Sequence, residues 1–192
     1  MLDDNQIYIV VDIEGDGPVP GLYSMLSLGA VASTADEEVG SFYRKLMPLL
    51  DAGQYPPTMD WWQSQPDAWH EATTNAQPAR LVMQEFNEWV RSFDKVPVFV
   101  AQPVGYDYTY VSWYLWKFAE ENPFTDHGGA SITLDLASFI SGKFGRTLQG
   151  SRRSRLPSWL RQGMPEHSHN ALDDARGFGV ILRHALRRSS QL

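Results

Sequence analysis

Three acidic residues near the N-terminus have the spacing of a metal-binding segment. Asp12, Glu14 and Asp16 occupy every second position directly after an apolar run. Side chains alternate along a strand, so Asp12 and Glu14 would point to the same face. Such spacing is found in calcium loops, at catalytic strand ends and in solvated turns. Other residues of the chain distinguish these three roles.

A calcium loop does not fit the residues that follow. An EF-hand loop that starts at Asp12 requires a bidentate Glu at its twelfth position, where this chain has Tyr23. A helix should also precede the loop, whereas residues 7–12 (Ile-Tyr-Ile-Val-Val-Asp) have the composition of a strand. The sequence therefore excludes calcium sensing and leaves a strand end or a turn.

A second acid is predicted to face the protein core. The apolar period of residues 170–187 predicts a final helix, and Asp174 falls on its apolar face beside Ile181 and Ala185. Asp173 points about 100° away and is expected to be solvated. Burying a carboxylate is costly unless it is paired or binds a cation, which makes Asp174 a candidate metal ligand.

Asp107 opens a second predicted helix and shares its face with Val111 and Leu115. Helix capping is the alternative role for an Asp at this position. Two acids from a strand end and one from each of two helices can converge on a point, where their repulsion requires cations. The chain has no cysteine, and all-oxygen ligation suits Mg²⁺ or Mn²⁺. Two such ions about 4 Å apart can catalyse in-line displacement at phosphorus.

That chemistry also needs a base for the attacking water. Of the five histidines, only His167 and His169 lie just before the last predicted helix. His169 precedes Asp174 by five residues, so its imidazole is expected to overhang a metal bound there. A surface histidine without such neighbours would carry no catalytic prediction.

Composition predicts one domain over residues 1–192, with 43% hydrophobic residues. The first residues are acidic where a signal peptide would be basic, and no apolar stretch is long enough to cross a membrane. We therefore expect a cytoplasmic protein without a membrane partner. Seven tryptophans also allow a homodimer.

The charge is distributed unevenly along the chain. The net charge is −7, which by itself disfavours a nucleic-acid partner. Residues 136–165, here called the basic segment, contain no acid and six basic residues, namely Lys143, Arg146, Arg152, Arg153, Arg155 and Arg161. This segment is either an anion-binding site or a solvated loop.

The hydrophobic periods predict an α/β fold, a mixed β-sheet flanked by α-helices. Strands are predicted at 7–12, 24–32, 39–47 and 96–101, helices at 79–93, 107–119 and about 170–187, and a strand or helix at 134–139. The first three strands are expected to form an antiparallel meander, because a Gly/Pro turn and an acidic turn separate them.

Taken together, these residues resemble a known family. Asp12-Ile-Glu14, Tyr106-Asp107 and His169-Asn-Ala-Leu-Asp-Asp174 are similar to the three motifs of the DEDD superfamily of 3'-5' exonucleases. The histidine places the resemblance in the histidine subgroup, which includes proofreading exonucleases. The alternative tyrosine subgroup does not fit, since no tyrosine follows Tyr114. The similarity spans residues 7 to about 185.

The resemblance implies a ribonuclease H-like fold and the release of nucleoside monophosphates from single-stranded 3' ends of DNA or RNA. It implies that Asp12, Glu14 and Asp174 bind one divalent cation and that Asp12 bridges to a second. Asp107 would support the second ion, and His169 would be the general base. The ions would also offset the four carboxylates, so that a phosphodiester can approach.

Two segments of this chain differ from the usual sequence of the family's motifs. Many members have Thr where this chain has Gly15 and Asp16; Gly15 and Gly17 would let the backbone approach the terminal nucleotide. Asp16 either tunes metal binding or faces water. Residues 102–107 (Gln-Pro-Val-Gly-Tyr-Asp) lack the common His-Asn pair, which leaves the sugar and base contacts there open.

Trp61 and Trp62 are similar to the Trp-Trp-x-x-Gln segment of some exonuclease VIII-like and exoribonuclease relatives. They would form a base-stacking platform or pack into a core or interface. Arg152, Arg153 and Arg155 are the expected phosphate contacts of the basic segment. A catalytically inactive binding module and a phosphodiesterase for very short oligonucleotides are the competing functions.

Overall fold

One five-stranded sheet forms the centre of the molecule. The computed structural model describes residues 5–166 and 168–188. The strands are β1 (Gln6–Gly15), β2 (Met25–Ser33), β3 (Glu38–Lys45), β4 (Val96–Ala101) and β5 (Thr133–Asp135). Their order is β3-β2-β1-β4-β5, in which β1 pairs antiparallel with β2 and parallel with β4. The predicted meander and mixed sheet are confirmed.

Helices cover both faces of this sheet. They are α1 (Pro56–Gln63), α2 (Pro66–Thr73), α3 (Ala79–Arg91), α4 (Val104–Tyr114), α5 (Leu136–Phe144), α6 (Ser158–Arg161) and α7 (Ala171–Arg187), and a π-helical turn (Leu115–Ala119) extends α4. Among the described residues, no helix is long and apolar enough to span a bilayer.

The alternation of β1 divides the core in two. Ile7, Ile9 and Val11 pack into one cluster with residues of α3 and α4. Tyr8 and Val10 point to the opposite face and pack into the second cluster with α5, α6 and α7. Because both faces are buried, the central strands are apolar almost throughout, as expected for the middle of a layered α/β sheet.

Helices α1 and α2 were not predicted from the sequence, although each has a proline in its first turn, which is a common helix start. Each is only eight residues long, which is too short to display a clear apolar period. The second predicted helix begins at Val104, three residues earlier than expected, and residues 133–144 contain both a strand and a helix.

Candidate active site

The C-terminal end of β1 extends beyond its pairing with β4, and the first turn of α4 contacts it on that side. The pairing of β1 with β4 ends at Val10 and Val100, so among the described residues the later part of β1 has no strand partner on that side. Asp107, in the first turn of α4, accepts the backbone N–H of Ile13 at 3.0 Å. This contact, together with 3% exposure of Asp107, shows that the side chain is directed into the strand end. Helix capping is therefore not its main role.

Close packing brings the N-terminus of α7 to the same strand end. Asn170 caps the helix, since its side chain accepts the N–H groups of Leu172 and Asp173. Gly29 of β2 lies opposite Asp12, and a Cβ atom on Gly29 would be 2.2 Å from the carbonyl carbon of Ala171. Only glycine permits this approach, which the sequence did not reveal.

The resulting site joins groups from a strand, a loop and a helix. Glu14, His169 and Asp174 each offer one ligand atom, and these three atoms lie within 4.8 Å of one another. Asp174 is 2% exposed, whereas Asp173 is partly exposed and lies 3.8 Å from Arg176. The predicted phase of the last helix is confirmed. His167 lies outside the described residues.

Electrostatics show that the four acids are mutual neighbours. Burial raises the pKa of Asp12 well above its ordinary value, and the carboxylates of Asp107, Glu14 and Asp174 raise it further. Burial, followed by repulsion from Asp174 and Asp107, raises the pKa of Glu14 to about 8. Burial raises the pKa of Asp107 to about 7 against the hydrogen bond from Ile13. A cation bound between these acids would offset both the free-energy cost of burying their charges and their mutual repulsion.

One arginine of the basic segment reaches into the carboxylate group. Arg153 Nη1 donates to Asp174 Oδ1 at 2.6 Å, and its guanidinium lies 5.4 Å from the centre of the Phe178 ring. Its side chain is 17% exposed and also lowers the pKa of Asp12. Arg153 is thus a neighbour of the acids, whereas Arg152 and Arg155 are exposed and Arg155 donates to Gln149.

The backbone and the ring of His169 are both held in place. His169 has a φ of 55°, in the left-handed region that residues other than glycine rarely adopt. Its ring meets the ring of Trp61 edge-on, with 5.0 Å between the centroids. Strained residues of this kind concentrate at functional sites, where the surrounding structure maintains them.

The two adjacent tryptophans have different surroundings. Trp62 is 2% exposed, and its indole Nε1 donates to the carbonyl of Gly15 at 3.0 Å. Trp61 is 36% exposed and contacts both Trp62 and His169. Trp62 therefore belongs to the core that supports the strand end, and Trp61 is the more exposed of the two rings.

The turn after β1 is shaped by internal contacts. Asp16 is 1% exposed and accepts the N–H of Ser24, so it orders the turn and does not face water. A Cβ on Gly17 would be 2.2 Å from the ring of Tyr23, and one on Gly15 would be 3.0 Å from the hydroxyl of Tyr106. Both glycines are thus explained by packing within the protein.

A hydrogen bond connects the segment before Asp107 to the basic segment. Gln102, in the segment that lacks the common His-Asn pair, donates from Nε2 to the carbonyl of Ser151 at 2.9 Å. Arg146 donates to the carbonyls of Gly150 and Arg155. These bonds order the irregular chain beside α4, where the sequence predicted only a loop.

The chain matches known exonucleases by sequence. The model of the 3'-5' exoribonuclease Rv2179c-like domain covers residues 7–185. The 3'-5' DNA exonuclease Cap18 of Escherichia coli is 29% identical over 188 residues, which span 95% of this chain and 93% of that protein.

Solved structures show the same fold. The nuclease domain of 3'hExo, a DEDDh family member bound to rAMP, matches with a TM-score of 0.67 at 11% identity, over 95% of this chain and 90% of that one. The zinc-bound complex of E. coli exonuclease I with single-stranded DNA matches with a TM-score of 0.66 at 12% identity, over 94% of this chain and 40% of that one. The ribonuclease H-like fold expected from the three motifs is confirmed.

Proposed function

The chain belongs to the family of 3'-5' exoribonuclease Rv2179c-like domains, and on this basis we propose that its 3'-5' exonuclease activity depends on divalent cations. Its substrate would be a single-stranded 3' end of DNA or RNA, from which it releases nucleoside monophosphates. The convergence of Glu14, His169 and Asp174 within 4.8 Å, beside the half-buried Asp12 and the buried Asp107, is the observation that carries this proposal. The single-stranded DNA bound by exonuclease I supports the class of substrate.

The donor set fits two hard divalent cations, Mg²⁺ or Mn²⁺. Asp12, Glu14 and Asp174 would hold one ion, Asp12 would bridge to the second, and Asp107 would support the second ion directly or through water. Burial and carboxylate repulsion raise the pKa values of Asp12 and Glu14, which supports a counter-charge beyond Arg153. When bound, two such ions activate water, align the phosphodiester and stabilise the leaving oxygen.

The protein groups then divide the remaining tasks. His169 is the general base, and its imidazole takes a proton from the attacking water. Its contact with Trp61 and its constrained backbone orient the ring, so less reorganisation is needed during the reaction. Trp61, the more exposed of the two rings, would contact the terminal base, while Trp62 maintains the strand end by donating to the carbonyl of Gly15.

Product analysis tests the proposal directly. Single-stranded DNA and RNA oligonucleotides of several lengths, dinucleotides included, would be incubated with Mn²⁺ or with EDTA. Each would have either a 3'-hydroxyl or a 3'-phosphate, and the products would be separated by chromatography. We expect nucleoside 5'-monophosphates only with the cation and faster release from the 3'-hydroxyl end. Release of internal fragments would contradict an exonuclease, and hydrolysis of dinucleotides alone would indicate a phosphodiesterase for very short oligonucleotides.

Other expectations from the sequence remain predictions. The single exonuclease domain, the cytoplasmic location and the homodimer belong to this group. Light scattering on the purified protein would decide between a monomer and a homodimer.

A further inference from the structure

A large open cavity lies beside the carboxylates. Its volume is about 1210 Å³, and its wall includes the ends of α4 and α5 and much of the basic segment. Arg153 belongs to this wall and also donates to Asp174 Oδ1 at 2.6 Å. A molecule in the cavity would therefore be separated from the catalytic acids by one side chain.

The charges in the wall favour an anion. Arg152, Arg153 and Arg161 line the cavity. Asp135 is the acid in the lining, and its two carboxylate oxygens accept the N–H groups of Ser138 and Val104 at 2.7 and 3.1 Å. Its negative charge is thus engaged by the backbone at the start of two helices, which leaves the arginines to set the potential of the cavity.

Much of the remaining wall is apolar, although Gln102, Ser138 and Ser154 also line it. Leu148 is 59% exposed, and Met164 and Phe178 lie in the same wall. An exposed leucine beside arginines fits a ligand with both a flat apolar part and a negative charge, as in a nucleotide, whose base and phosphate differ in this way. Ligand cavities for small molecules are about 300–1,000 Å³, so this one has room for more than a single nucleotide.

We propose that this cavity binds the nucleotides on the 5' side of the terminal one, with Arg152 and Arg161 on their phosphates and Leu148 and Met164 against their bases. The assignment rests on the proposed exonuclease function and deepens it. It makes the enzyme selective for strands several nucleotides long and gives the basic segment a role distinct from catalysis.

The test compares substrates with and without upstream nucleotides. The double variant Arg152→Ala/Arg161→Ala would be assayed with an eight-nucleotide single strand and with the p-nitrophenyl ester of thymidine 5'-monophosphate, which has no upstream nucleotide. The matched control is Arg80→Ala/Arg91→Ala, which removes two exposed arginines of α3 that pair with Glu120 and Glu121. Binding of the octamer would be measured by fluorescence anisotropy in EDTA, where no hydrolysis occurs.

We expect the cavity variant to lose about tenfold in affinity and in kcat/KM for the octamer, and to hydrolyse the ester within about twofold of the unmodified protein. Two lost phosphate contacts should also reduce the salt slope of octamer binding by about 1.4, since each contributes about 0.7 on a single strand. The control should match the unmodified protein.

Equal losses on both substrates, or octamer binding unchanged from the control, would overturn the cavity assignment. An unmodified protein that binds the octamer but hydrolyses neither substrate with Mn²⁺ would instead refute the proposed function. The anisotropy comparison would still test the cavity in that case, so the two failures are distinguishable.

Discussion

The carboxylate site and the basic segment are neighbours, but the chain builds them in different ways. Asp12, Glu14, Asp107 and Asp174 stand on a central strand and two helices and are buried or half-buried. The part of the basic segment after α5 contains two single 3-10 turns and the four-residue helix α6, and Arg152, Arg155 and Arg161 are exposed there. The acids that would have to hold cations at fixed distances thus lie on regular elements, whereas the arginines proposed to bind the strand lie in short turns and in the four-residue α6.

The largest effects should come from the carboxylates. Asp12→Asn should lower hydrolysis at least about a thousandfold, because it removes the acid that is proposed to bind both cations. It should also raise the free energy of unfolding in EDTA at pH 8, since burial and the carboxylates of Asp107, Glu14 and Asp174 disfavour a charge on Asp12. Urea denaturation and a nuclease assay would measure both. A variant that is inactive and also less stable would indicate simple misfolding.

Glycine at position 29 should be nearly as sensitive as the acids. Gly29→Ala would force α7 away from β2, because the new Cβ would lie 2.2 Å from the Ala171 carbonyl carbon. We expect a loss of about a hundredfold in kcat/KM, as for a displacement near 1 Å at an active site, and of about 1–3 kcal/mol in stability. Gly142→Ala in α5 is the control, since nothing lies within 4 Å of its Cβ position. Equal behaviour of the two variants would refute the close packing of α7.

Arg153 should behave as part of the carboxylate site despite its place in the basic segment. Arg153→Met leaves Asp174 without its 2.6 Å partner and should destabilise the metal-free protein by about 3 kcal/mol. Added Mn²⁺ should restore much of that loss, because a cation can replace the guanidinium. Arg155→Met, at an exposed arginine, should change stability by less than about 0.5 kcal/mol. Similar stabilities of the two variants in thermal and chemical denaturation would contradict a role for Arg153 that Arg155 does not share.

Stability of the metal-free protein should fall as pH rises. The folded-state pKa values of Glu14 and Asp107, about 8 and about 7, exceed their ordinary values of 4.5 and 3.8. The folded protein therefore binds protons more tightly than the unfolded chain, and this stabilisation, complete below about pH 4, is lost as pH rises to about 8. Urea denaturation in EDTA from pH 5 to 8 would show the decline. In Glu14→Gln the decline should be smaller, and an unchanged slope would contradict the burial of Glu14.

The carboxylate site could be predicted because its residues belong to regular elements. Period and phase in the last helix distinguished Asp174 from Asp173, and strand alternation placed Asp12 beside Glu14. The importance of Gly29 was not visible, since it depends on where α7 crosses β2. Arg153 could not be separated from Arg152 or Arg155, because the sequence of an irregular segment does not reveal the direction of its side chains.

The most direct test of the central claim compares the two adjacent acids of α7 on one substrate. A 5'-labelled single strand would be incubated with Mn²⁺ and the unmodified protein, Asp174→Asn or Asp173→Asn, and the products resolved by length. We predict a ladder shortened from the 3' end for the unmodified protein and for Asp173→Asn, and an intact strand for Asp174→Asn. Equal activity of the two variants, or a ladder that persists in EDTA, would contradict a cation-dependent exonuclease centred on Asp174.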